Sequence, residues 1–184
     1  MKGVIFNIFE NFISKNLGED AWYKVLDEAR PEDEVFVGPK TYPDSTFLKL
    51  LSTCVGLYKL PLDSAVRTFG KFTFPQLVSR APDLVAQFKT PEDLLIGLDG
   101  IIHVEVRKLM EDADPPKFVV SRREDGVLDV QYISKRKLCR LVEGLMEGLA
   151  EHYGKELHLV HKECTCQGAS SCVFEISFLE KREK

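Results

Sequence analysis

At 184 residues, 44% of them hydrophobic and 29% charged, the chain is long enough to bury a full core and reads as a single domain. Its net charge of -4 and its short basic runs (Arg122-Arg123, Lys135 to Lys137), offset by nearby acids, offer no footprint for a phosphate backbone, so nucleic acid is not an expected partner. The apolar start is interrupted at Asn7 and Glu10, too soon for a secretory core or a bilayer span, which predicts a cytoplasmic protein without membrane contact. Five cysteines, an odd number with no secretory signal ahead of them, point to metal or free thiols and away from a disulfide framework.

The first two thirds read as helices. Val4, Ile5, Ile8, Phe9, Phe12 and Ile13 recur at helical spacing up to Gly18, and Ala21 to Ala29 forms a second amphipathic segment before Pro31. Asp44 or Ser45 is placed to cap a third helix carrying Phe47, Leu48, Leu50, Leu51 and Val55. Pro61 to Phe69 and Thr73 to Ser79 read as a pair of helices broken around Gly70, and Asp83 to Phe88 as a brief turn. Thr90-Pro91-Glu92-Asp93 is a strong start signal: N-cap, proline at the first position, acids in the first turn.

After Pro115-Pro116 the period changes to two. Lys117 to Ser121 and Val127 to Ile133 alternate on either side of a Gly126 turn and predict a hairpin. A long helix, Lys135 to Tyr153, comes next with an apolar stripe through Leu138, Leu141, Val142, Leu145 and Leu149. Glu156 to Lys162 and Cys172 to Phe178 predict two more strands, and residues 179–184 a charged, frayed tail. The order of elements argues for an α+β fold with a four-stranded antiparallel sheet.

Three groups of residues carry chemistry. His103 lies on the helix begun at Thr90, with Gly97 and Gly100 just upstream. A mid-helix glycine costs about 1 kcal/mol against alanine, so two so close call for a packing reason, and clearance for a flat group such as an iron porphyrin is one. The alternative is a hydrogen-bonded core histidine among Leu94, Leu95, Leu98, Ile101, Ile102 and Val106.

Tyr132, Ser134 and Arg136 stand two apart where a strand meets a helix, so a phenol, a hydroxyl and a guanidinium converge, and such a set suits a dicarboxylate. Equally, Ser134 is a plain N-cap with Tyr132 half-buried and Arg136 solvated. His161, Cys164, Cys166 and Cys172 offer an imidazole and three thiols within twelve residues, a donor set for closed tetrahedral zinc, with free or redox-active thiols as the alternative. Cys139 and Cys54 read as small buried hydrophobes.

Taken together, Met1-Lys2-Gly3-Val4-Ile5, Asp99-Gly100-Ile101-Ile102-His103, Pro115-Pro116 and Tyr132-x-Ser134-x-Arg136 resemble the H-NOX family of haem nitric oxide/oxygen-binding domains, from Met1 to about Phe178. The resemblance implies a haem b between a distal helical lobe (1–60) and a proximal lobe with the sheet (61–178). It makes His103 the iron ligand and Tyr132, Ser134 and Arg136 the propionate clamp. Pro116 would press on the porphyrin, and Ile5 would pack on its distal side. Some bacterial members carry zinc in the segment corresponding to His161–Cys172.

Oxygen-binding members of the family carry a distal tyrosine at the position of Leu141. O2 gains negative charge on ferrous iron, where a buried donor is worth about 1.5 to 3 kcal/mol, whereas NO polarises less. Leu141, Leu145, Ile5 and Phe9 as pocket lining therefore predict a site for NO and CO that holds O2 poorly, with Thr73 and Thr90 as stray donors to watch. NO weakens the bond opposite to it, so parting of iron from His103 would free its helix as a two-state element. No enzyme is expected. The family's stand-alone members commonly act on a histidine kinase or a diguanylate cyclase. A haem-free, zinc-stabilised binding module is the competing reading; a zinc hydrolase is disfavoured because no metal position is left open to water.

Overall fold

The structure, a computed structural model, describes residues 1–110 and 112–181. Three helices lead: α1 (Gly3–Leu17), α2 (Glu19–Ala29) and α3 (Asp44–Leu57). They bury an aromatic cluster in which Phe6, Phe9, Phe36 and Phe47 are essentially inaccessible. Phe6 stacks on Phe36 at 4.2 Å between centroids, and Phe9 meets Phe47 and Phe69 at 5.3 and 5.1 Å. Large rings held in offset and edge contacts fix this cluster's geometry as well as its hydrophobic content.

α4 (Leu62–Val78) is one continuous helix, not the broken pair expected around Gly70. The reason lies on α8 (Cys139–His152). A Cβ on Gly70 would run into the Leu141 carbonyl oxygen, and one on Gly144 into the Arg67 carbonyl oxygen and, at 2.7 Å, the Lys71 amide nitrogen. The two backbones touch, so these glycines are spacers for a helix crossing; interior glycine weakens a helix by only about 1 kcal/mol, which close packing offsets. Ion pairs flank the seam: Arg67 with Glu147, Lys71 with Glu151 at 2.6 Å and Arg140 with Asp63 at 3.0 Å. α4 lends Val66 and Phe69 to the aromatic cluster and Phe74 and Val78 to a second cluster over the sheet.

α5 (Pro82–Val85) is short, and α6 (Pro91–Gly97) starts where expected, Thr90 accepting from the Asp93 amide at 3.1 Å. A π-helical turn, Leu98–Ile102, then leads into α7 (His103–Leu109).

The sheet has order β1-β2-β4-β3 and is antiparallel throughout. It comprises β1 (Lys117–Arg122), β2 (Leu128–Ile133), β3 (Lys155–Glu163) and β4 (Cys172–Glu180). The four-stranded α+β architecture read from the period change is thus the one observed. β4 runs to Glu180, two residues into the expected frayed tail; residues 182–184 lie outside the described residues. Leu128, Val130, Phe174 and Ile176 form its fully buried face, against Val142, Met146 and Leu149 of α8. α8 starts four residues after the expected Lys135, because Lys137 adopts a left-handed conformation (φ 53°) that no helix continues through.

Candidate functional site

His103 is 9% exposed and sits at the exit of the π turn, its own amide donating to the Leu98 carbonyl. Such a turn inserts an extra residue per loop of helix and so rotates the next helical segment, a distortion that recurs at functional sites. Its Nδ1 lies 3.2 Å from Asp99 Oδ1, leaving Nε2 as the nitrogen for a ligand. Burial pushes the imidazole pKa below the ordinary histidine value, with Asp99 opposing but not reversing the shift, so the ring is neutral and ligand-ready at pH 7. The glycines do not act as a pair: a Cβ on Gly97 would strike the Phe88 ring, whereas Gly100 is exposed and opens on empty space. Gly97 is thus a packing residue for Phe88 and only Gly100 leaves clearance beside the turn.

Phe118 carries the contact from His103 (6.0 Å between ring centroids) to Tyr132 (5.3 Å). Tyr132 is buried, and burial raises its pKa. Ser134 does not cap α8, which begins five residues later; its hydroxyl accepts from the Arg136 amide at 3.2 Å and so shapes the turn that aims Arg136. The guanidinium is nearly buried, donating to the Asp114 carbonyl oxygen at 2.8 Å. Its Nε is 2.8 Å from Asp44 Oδ2 but is not aligned on it, leaving a buried donor without a hydrogen-bond partner. Asp44 also takes the Met1 ammonium at 2.8 Å. A guanidinium with one buried N–H that makes no hydrogen bond, close in sequence to a phenol and a hydroxyl, together with an imidazole that has one nitrogen free, fits a haem with its carboxylates. Pro116 is half-buried in the segment just before β1.

On the other side, Ile5 and Leu141 pack against the aromatic cluster that contains Phe9. Leu145 is half-buried but joins neither core cluster. Thr73 is 2% exposed, and its single hydroxyl proton is spent on the Phe69 carbonyl at 2.7 Å. Thr90 is committed as the cap of α6. Thr73 is therefore not a free donor toward Leu141, whereas Thr90 accepts in its capping bond and keeps its own proton.

The Cys/His cluster differs from its sequence reading in one member. Ligand atoms of Cys139, His161, Cys164 and Cys172 lie within 4.8 Å of one another. Cys139 Sγ is 3.6 Å from Cys164 Sγ, near the ~3.8 Å edge of a tetrahedron with metal–sulfur bonds of about 2.3 Å. Cys166, expected as a ligand, is exposed and stands beside the group, its sulfur 3.8 Å from Cys139 Sγ. Local spacing favours Cys166, but the brief 3-10 turn at Thr165–Gln167 carries its side chain outward while the first turn of α8 delivers Cys139 from 25 residues away. Burial pushes the Cys139 thiol pKa up, whereas that of Cys164 is lowered, burial being outweighed by hydrogen bonds to its sulfur. His161 Nε2 is buried without a partner, and the Thr165 amide donates to Cys172 Sγ at 3.3 Å. A β-bulge between His161 and Glu163 turns the chain toward Cys164. Three thiols and an orphaned imidazole nitrogen fit a metal ion.

A model of the haem-NO-binding family matches residues 2–161. The chain belongs to the H-NOX family. Its H-NOX fold superimposes on that of an H-NOX protein from S. oneidensis solved in the Fe(II)NO ligation state, with TM-score 0.93 and 30% identity over 98% of this chain and 100% of that one. An unliganded Fe(II) H-NOX protein from K. algicida gives TM-score 0.90 and 28% identity, with full coverage of both chains. The IWP-051-bound H-NOX from Shewanella woodyi, in the Fe(II)CO state, gives 0.84 and 28%, covering 96% of this H-NOX chain and 94% of its own. The search of curated proteins found no match. Among the described residues no helix is long and apolar enough to cross a membrane.

Proposed function

We propose that this H-NOX chain is a haem-based gas sensor that takes NO and CO, holds O2 poorly, and passes its signal to a separate protein, a histidine kinase or diguanylate cyclase. The observation that carries the reading is the buried neutral His103, its Nδ1 turned to Asp99, together with an Arg136 whose buried Nε makes no hydrogen bond. Haem, when bound, supplies the ferrous site for a diatomic gas. His103 Nε2 would hold the iron, and Tyr132, Ser134 and Arg136 would receive the propionates. Leu141, Ile5 and Phe9 offer the gas an apolar wall with no free proton on Thr73. That wall suits a weakly polarised ligand and gives O2 none of the roughly ten- to hundredfold gain a hydrogen-bond donor would bring.

The output side rests on placement. His103 is the first residue of α7 and the end of a π turn, so a change in what holds its imidazole acts on a joint in the helix. The chain's role is that of a sensor module. The Cys/His cluster is proposed to hold structural zinc through Cys139, His161, Cys164 and Cys172, all four positions being filled by protein.

Absorption spectra of the reduced, haem-reconstituted chain test the reading: spectra that shift with NO and CO and stay unchanged in air are expected. His103→Gly should lose the chain's own iron ligand, and added imidazole should restore the wild-type spectrum. A chain that stays colourless after hemin, or a His103→Gly spectrum identical to wild type, overturns it.

A further inference from the structure

Glu143 lies on α8 and is 2% exposed, a depth at which a carboxylate is costly unless its partners are fixed. Its Oε1 accepts from His161 Nδ1 at 2.8 Å and from Arg140 Nη1 at 2.7 Å, and its Oε2 is 3.6 Å from Arg67 Nη1. Residues four apart on a helix share a face, so the strip of α8 that delivers the Cys139 thiol also delivers this carboxylate. A neutral imidazole has one N–H and one lone pair. With the N–H drawn to Nδ1 by Glu143, the lone pair is left on Nε2, the buried nitrogen that has no partner of its own. Phe174, its ring centroid 4.2 Å from that of His161, covers the imidazole face and restricts its rotation. No local pattern marks this role, because Glu143 sits in an ordinary amphipathic helix and its partner is 18 residues away.

We propose that Glu143 is the positioning residue of the metal site, deepening the reading of the Cys/His cluster as one. It holds His161 in the Nδ1–H form with Nε2 turned to the thiols. Arg67 and Arg140 keep the carboxylate in place, and both lead to α4, Arg67 as a residue of that helix and Arg140 through Asp63 at 3.0 Å. The metal site is thereby fastened to the helix pair at the centre of the fold and not only to its own hairpin. A carboxylate behind a ligating histidine fixes ring orientation and raises ligand basicity, and its loss typically weakens metal binding by about 10- to 100-fold.

The test is zinc affinity by chelator competition on the full chain, with Glu143→Ala, Glu143→Gln and, as a control on the same helix, Glu151→Gln, whose partner is Lys71. Glu143→Ala should weaken zinc by about 10- to 100-fold. Glu143→Gln, whose amide oxygen still accepts from Nδ1–H, should recover most of the loss, and Glu151→Gln should match wild type. Long-range nitrogen-15 NMR of zinc-loaded wild type reads the tautomer without any variant: Nε2 on zinc and a proton on Nδ1 are expected. Zinc on Nδ1, or Glu143→Ala binding as tightly as wild type, overturns the role of Glu143 alone. A wild-type chain that binds no zinc removes the metal site itself and the role with it.

Discussion

The two ligand sites of this chain are built on opposite plans. The Cys/His cluster is assembled from four protein donors that already stand within 4.8 Å of one another, whereas the His103 site offers one imidazole and, on other elements, the groups proposed to take carboxylates. The first closes on itself; the second, on the proposed reading, would be completed by a planar guest held by His103 at its centre and by Arg136 at its edge. Closure suits a structural ion, and an incomplete site suits a ligand that must report on something else bound to it. The donors of the cluster are an orphaned nitrogen and buried sulfurs, while the Arg136 guanidinium is paired with Asp44 and Asp114.

The comparison breaks most sharply at Cys139. Cys139→Ala removes a donor and should weaken zinc binding by more than the roughly 100-fold that an outer hydrogen-bond partner is worth. Cys166→Ala, altering an exposed thiol beside the site, should leave zinc stoichiometry intact; metal analysis after chelator dialysis distinguishes the two. Equal loss in both variants would restore Cys166 as a ligand.

A smaller effect sharpens the open site. Leu141→Tyr places a phenol against the aromatic cluster and should raise O2 affinity about ten- to hundredfold while changing NO binding little. Spectra of the reduced variant in air read the outcome, and an unchanged response would mean the phenol does not reach the gas.

The smallest concerns Asp44, which joins Met1 and Arg136. Burial raises its pKa, but the hydrogen bond from the Met1 ammonium and the charge of Arg136 outweigh that and hold it below the ordinary aspartate value. A depressed carboxylate contributes stability that is complete above the unfolded value, about 3.9, and lost as pH falls through the folded one. Asp44 is partly exposed, so Asp44→Asn should cost about 1 kcal/mol or less at pH 7. The gap between variant and wild type in denaturation curves should begin to close at about pH 4 and vanish as pH falls through the lowered value of Asp44; a gap that does not shrink with falling pH would rule out the charge as its source.

How much of this was legible depended on how local the signal was. Thr90 as a cap, the alternating strands and the Gly126 turn are written in neighbouring residues, and each appears where expected. Tyr132, Ser134 and Arg136 were legible as a group, but Ser134 could as well have been a cap; only the late start of α8 decides that. Gly70 misled because the atoms it makes room for belong to α8, some seventy residues on. Cys139 was hidden for the same reason: ligand spacing is read along the chain, and its sulfur meets Cys164 only across a helix and a strand. The π turn before His103 has no composition that separates it from α-helix, since a single added residue per turn leaves the apolar pattern nearly unchanged.

The bare crossing of α4 and α8 has a mechanical consequence. Where Gly70 meets the Leu141 carbonyl and Gly144 the Arg67 carbonyl, there is no cushion of rotamers to absorb a push. Backbone packed directly on backbone transmits strain, so the contact couples the aromatic cluster, to which α4 lends Phe69, to the thiols, of which α8 carries Cys139.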